Sequence, residues 1–159
     1  MQVSGDNVNE ETIDAILTAS RVLVAIAARS LADDLQDVTL AQYRALVVLA
    51  QRGPQHLSDL ADELAVHPAT ATRMCDRLVT KNLIQRTPSD TDRRQIEITA
   101  TDAALSLVER VSLRRRKEIA RIASSLPLAS IDSLLVGLRA FSNAAAEPQE
   151  KDWVTKWFL

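Results

Sequence analysis

The stretch LIQRTPSDTDRRQIEITAT, from Leu83 to Thr101, constrains the fold more than any other part of the chain. Leu83-Ile84-Gln85-Arg86 reads as one short strand. From Gln95 to Ala100, Ile96, Ile98 and Ala100 alternate with Glu97 and Thr99 at the two-residue period of a half-buried second strand. Thr87-Pro88-Ser89-Asp90-Thr91 between them is turn chemistry, and the tip ends in Asp92-Arg93-Arg94. Hairpins are common, and two arginines at a tip are ordinarily a solvated loop. What precedes this one decides its meaning.

Two helices come first. The shorter runs from about Leu57 to Ala65, with Leu57, Leu60, Ala61 and Leu64 at helical spacing, and turns at Ala65-Val66-His67. Pro68 then occupies a first helical position, where its fixed φ helps and its missing N–H costs nothing, and it biases His67 to the extended backbone of an N-cap. The helix from Pro68 to Lys81 has two faces: Ala71, Met74, Cys75 and Leu78 point inward, while Ala69, Thr70, Arg73 and Arg77 line the other side. Asn82 suits the left-handed position that ends it. Helix, turn, helix and hairpin in this order make a winged helix-turn-helix, a fold class that is mainly α and points to DNA.

The flanks read as further helices. Residues 1–9 are polar and expected to be disordered. An apolar stripe from Ile13 to Leu35 marks a first helix from Glu10, and Thr39 with Gln42 three residues on forms a capping box, with Val38 placed to staple against Tyr43. That second helix stops at Gly53-Pro54. After the hairpin, Thr101-Asp102 caps a long helix to about Ser124, and Pro127 opens another that carries Ile131, Leu134, Leu135, Leu138 and Phe141 on one face. The expected organisation is a helix at 10–36 and helices at 102–146 forming a dimerisation layer around a winged domain at 37–101. A tail at 147–159 follows, holding Trp153, Trp157 and Phe158, and these aromatics are expected to dock on the body.

Charge is unevenly placed. The net charge is -2, yet from His67 to Arg121 there are 12 Lys or Arg against 7 Asp or Glu, and elsewhere 7 against 14. The segment with the helix pair and hairpin is therefore basic and the remainder acidic, which suits a polyanionic partner. The single Cys excludes an intrachain disulfide. Cys75 has no nearby ligand set for zinc, and His67 lies two turns away, roughly 12 Å along the axis, beyond the reach of a Cys–His dyad. It reads as a small core residue. No paired carboxylates or metal cluster suggest an enzyme or a bound cofactor. The apolar stretch Val22 to Ala28 falls short of a membrane span of about 20 residues, and a cytoplasmic protein that does not engage membrane is expected.

The segments LSDLADELAVHPATATRMCDRLVTKNLIQR and DTDRRQIEITAT resemble the MarR family of multiple-antibiotic-resistance regulators. The likeness extends from about Glu10 to Ala146 and rests on Leu60, Ala61, Pro68, Thr72, Arg73, Leu78, Leu83, Ile84, Arg86, Asp92, Arg93 and Arg94, each weak alone and strong in this order. The chain departs from the pattern at His56 and His67, where a hydroxyl cap is usual, at Asn82 in place of Gly, and at Ala104 in place of Gly.

The resemblance implies a homodimeric regulator, a repressor more often than an activator, on double-stranded DNA with a near-palindromic site. Its two recognition helices would sit about 34 Å apart. Arg73 and Arg77 would read guanine or meet phosphate, Thr70 and Thr72 would touch a thymine methyl or phosphate, and Ala69 would lie on the same face. At the wing, Arg94 would enter the minor groove with Asp92 holding its guanidinium, and Arg93 would lie beside it. His67 either caps its helix through a neutral nitrogen or contacts phosphate. The plain alternative for Arg73 and Arg77 is a solvated face paired with Asp76. Arg114-Arg115-Arg116-Lys117 is expected mainly to bridge to the acidic first helix. The family further implies a small aromatic or phenolic ligand in a cleft between the two regions. A winged module that binds protein instead of specific DNA is the competing reading.

Overall fold

The computed structural model describes residues 9–34, 37–89, 95–148 and Glu150. Six helices and three short strands are present among them: α1 (Glu10–Ala32), α2 (Leu40–Arg52), β1 (Gln55–His56), α3 (Leu57–Glu63), α4 (Pro68–Thr80), β2 (Ile84–Pro88), β3 (Ile96–Ala100), α5 (Asp102–Ala123) and α6 (Leu128–Ala144). The fold is mainly helical with a winged helix-turn-helix at its centre, as its sequence predicts.

Local chemistry sets most boundaries. Asn9 caps α1 by accepting the Thr12 amide at 2.8 Å. At α2 both arms of the Thr39–Gln42 capping box form, at 3.1 and 3.2 Å, and Val38 and Tyr43 are buried together in the core. Gly53, at φ 79, ends that helix in a backbone region closed to most other residues. Three helices end in the paired backbone bonds of a Schellman turn: α3 at Ala65, α4 at Asn82 and α6 at Ala146, each with positive φ. Thr101 accepts the Ala104 amide at 3.2 Å and donates its hydroxyl to the Asn82 carbonyl at 2.8 Å, so α5 starts where α4 stops.

The sheet corrects the sequence reading in three respects. A two-residue strand, β1, pairs with β3, and the order is β1-β3-β2 with every pairing antiparallel. Strands this short carry no periodicity of their own. The first wing strand continues through Thr87 and Pro88, assigned above to the turn, since Pro88 opposite Ile96 closes an edge strand that asks no donor of it. Ile96, expected to face inward, is half exposed, because the wing there has left the body; Ile98 is fully buried. The core is formed by α2, α3, α4, the base of the sheet and the first half of α5, with Leu46, Leu60, Leu78, Leu83, Ile98 and Leu107 wholly enclosed.

Outside that core α1 lies along α5. It ends at Ala32, short of the Leu35 expected, and its buried residues are Ile26, Ser30 and Leu31. Asp34, buried beside α1, takes Arg110 at 3.0 Å and Arg114 at 3.8 Å, and Arg29 pairs with Glu118. Arg114 also donates to the Ser30 carbonyl at 3.0 Å. That part of the basic run bridges to α1, as expected. By length and composition α1 is apolar enough to cross a membrane, which corrects the shorter stretch read from the sequence. Its apolar residues are divided between α5 and an uncovered face with Leu17 and Val24. The α6 helix buries none of its residues within the chain, and Leu134, Leu135, Leu138 and Phe141 remain open.

Candidate nucleic-acid interface

Pro68 and His67 aim the α4 helix outward. The His67 backbone is extended, and the Ala69 amide donates to His67 Nδ1 at 3.1 Å, so the imidazole acts as the N-cap in its neutral form. Of the two roles open to His67, the structure contains the cap. Ala71, Cys75 and Leu78 hold the helix to the core, with Met74 half buried at the edge. The opposite face carries Ala69, Arg73 and Arg77, all exposed, with Thr70 half exposed beside them.

Asp76 is the residue that could have neutralised this face, and it is engaged elsewhere. Arg86, on the first strand of the wing, reaches back across to bind the Asp76 carboxylate at 2.7 Å and points the same nitrogen at the Thr72 carbonyl at 3.5 Å. Among the described residues Arg73 has only the Thr70 hydroxyl within reach, at 3.5 Å, and Arg77 has no carboxylate partner. Two guanidinium groups one turn apart are thus presented to solvent with their donors open. Thr72 is less available than expected: its hydroxyl donates to the Pro68 carbonyl at 3.0 Å, and the residue is half buried toward the wing.

Arg86 belongs to the pattern that carries the family resemblance, and nothing in the sequence assigns it a role. Its contacts join two elements that no helical or strand periodicity relates. The same guanidinium lies against Cys75, whose thiol is pushed above its ordinary value by burial, with Arg86 opposing and Asp76 adding. Cys75 is fully enclosed, in keeping with a core role. At the far end of the wing Ser89 is buried and donates to Glu97 at 2.8 Å, while its amide bonds the Gln95 carbonyl at 2.9 Å, closing the described part of the hairpin. Asp92, Arg93 and Arg94, the expected minor-groove residues, lie outside the described residues, as do Trp153, Trp157 and Phe158.

A second feature lies where the resemblance implies a cleft between the two regions. Between α1, α2, α5 and the end of α6 lies a cleft of about 590 Å³ with Tyr43, Arg44, Val47, Ser112 and Arg115 among its walls. Glu147, assigned above to the start of the tail, is bound by Arg44 in a two-pronged ion pair at 2.9 and 2.7 Å. No local signal could have found this contact, which spans a separation of 103 residues.

Comparison with known proteins agrees with the geometry. The MarR family profile matches residues 38–96, which run from the staple before α2 to the start of β3. The HTH-type transcriptional repressor MdtR of Bacillus subtilis is 40% identical over 91 residues, covering 57% of this chain and 59% of MdtR. The uncharacterized regulator YhbI of the same organism is 36% identical over 81 residues, 51% of this chain and 53% of YhbI. The matched segments thus span little more than half the length of these two relatives. The crystal structure of RV1404 from Mycobacterium tuberculosis superposes with a TM-score of 0.83 at 41% identity, covering 94% of this chain and 99% of that one.

Proposed function

The chain belongs to the MarR family, and from that premise we propose that it is a dimeric, sequence-specific DNA-binding regulator of transcription that acts as a repressor and responds to a small ligand. The α4 helix enters the major groove, with Arg73 and Arg77 facing base edges and Ala69 and Thr70 completing the contact surface. His67 starts that helix close to the backbone, and Thr72 supports it. The wing residues Arg93 and Arg94 occupy the adjoining minor groove, with Asp92 orienting Arg94. Two copies joined through α1, α5 and α6 present the two α4 helices to a near-palindromic site.

One observation carries this reading: Arg73 and Arg77 are exposed and, among the described residues, have no carboxylate partner, while Arg86 holds Asp76. A merely solvated helix face has no need to sequester its one acid. Phosphate neutralisation then sets affinity, and the few base contacts set specificity. The repressor role follows MdtR, a repressor by name. The ligand role is supported by the cleft beside α2, whose size suits an aromatic or phenolic molecule.

The test is to select bound sequences from random duplexes and measure affinity by fluorescence anisotropy. Arg73→Ala and Arg77→Ala should each cost about 1–3 kcal/mol on the selected site if the residue reads a base. Losses should be smaller on random DNA. Failure to enrich any sequence would favour the protein-binding alternative, and equal losses on both DNAs would remove base readout by α4.

A further inference from the structure

The cleft beside α2 already contains a carboxylate. Glu147 enters its rim directly after α6, held there by the Schellman turn in which Ala146 takes φ 54 and the Glu147 amide bonds the Ser142 carbonyl at 3.0 Å. Both carboxylate oxygens lie against the guanidinium of Arg44, a planar match that a lysine could not provide. Gln51 and Arg52 nearby add to the stabilisation of its negative charge. These contacts, the Arg44 hydrogen bond foremost, hold the Glu147 carboxyl below its ordinary value.

A second arginine lines the same cleft. Arg115, on α5, has its Nε buried without a hydrogen-bond partner among the described residues. An enclosed guanidinium nitrogen without an acceptor is costly and implies one that is not always the protein's own. Tyr43 and Ser112 offer hydroxyls nearby, joined to each other only at 3.4 Å, and Val24, Ala27 and Val47 supply an apolar wall. The open space is therefore lined by two arginines and an apolar wall.

We propose that Glu147 is a tethered competitor in this cleft, occupying Arg44 so that any carboxylate entering the cleft must displace it. The inference rests on reading the cleft as a ligand site. A side chain fixed beside its cation acts at an effective concentration in the millimolar range, so a free carboxylate must overcome it. Displacement also has a mechanical consequence. Arg44 belongs to α2 of the winged domain and Glu147 to the end of α6, so ligand entry unties one of the described contacts between the two.

Benzoate serves as the probe, titrated by calorimetry into the intact chain and into Glu147→Ala, Glu147→Gln and Arg44→Gln proteins, each checked for an unchanged helical spectrum. Glu147→Ala is expected to bind benzoate at least about tenfold more tightly than the unsubstituted protein, in line with removal of a tethered rival. Glu147→Gln, which keeps shape and loses charge, should follow it, and Arg44→Gln should bind most weakly. Equal affinity in the unsubstituted and Glu147→Ala proteins would overturn the competitor while leaving a ligand cleft in place. Absence of benzoate binding in all four would overturn the anion site itself. If Glu147→Ala binds more tightly but benzoate leaves DNA affinity unchanged, the competitor stands and the ligand-responsive reading falls.

Discussion

Arg86 is the residue on which the contact face depends most, although it is not itself on that face. By binding Asp76 it removes a negative charge from beside Arg73 and Arg77 and ties the wing to α4 with one side chain. As a contribution to stability the pair is modest, about 0.2–1 kcal/mol for a partly exposed bridge. Its effect on DNA is expected to be larger. Arg86→Ala frees the carboxylate to face phosphate and to pair with Arg73, so affinity should fall about three- to tenfold on specific and random DNA alike. Adding Asp76→Ala should restore part of the loss. Unchanged anisotropy titrations for Arg86→Ala would show that Asp76 never interfered. By contrast, His67 acts locally: its Nδ1 substitutes for the hydroxyl expected at an N-cap, which explains how a family departure leaves α4 intact.

At the scale of elements, helix ends carry information that apolar periodicity does not. The α3 and α4 helices are joined by a turn whose left-handed residue is Ala65, at φ 52, where glycine is usual. An L-residue with a Cβ in that region costs roughly 1–2 kcal/mol, and glycine would return about 0.4–1 kcal/mol of that through its freer unfolded chain. Ala65→Gly is therefore expected to stabilise the protein by up to about 1 kcal/mol, raising the melting temperature by roughly 2–4 °C for a chain of this size. Asn82, in the same conformation at φ 55, should gain less on change to glycine because asparagine tolerates it. Calorimetric scanning of both variants checks the order; destabilisation by Ala65→Gly would mean that the turn is held by something other than its backbone bonds.

At the scale of the whole molecule, the chain is a well-closed winged domain joined to helices that do not close on themselves. Leu128, Leu134, Val136 and Phe141 on α6 and Leu17 and Val24 on α1 are open, while α5 covers only part of α1. A contiguous apolar surface of that kind is characteristic of an interface. Sedimentation at micromolar concentration should give twice 17.5 kDa, and charged substitutions at Leu134 and Leu138 should give a monomer with sharply weaker binding to a two-half-site duplex. A monomer in the unsubstituted protein would remove the paired-groove arrangement, though not the contact face of α4.

The sequence alone carried the parts of this protein that are governed by near neighbours. The capping box at Thr39, the stop at Gly53, Pro68 and His67 at the start of α4, the left-handed Asn82 and the division of α4 into two faces are all decided within a few residues. For that reason the winged fold and the candidate contact helix were legible before any coordinates. The strand β1 was not, because two residues have no period and exist as a strand only where β3 offers its edge. Nor were the ion pairs of Asp76 with Arg86 and of Arg44 with Glu147, or the enclosed Nε of Arg115. Partners distant in the chain meet only when packing brings their elements together, and the charge each presents to a ligand is settled by that meeting.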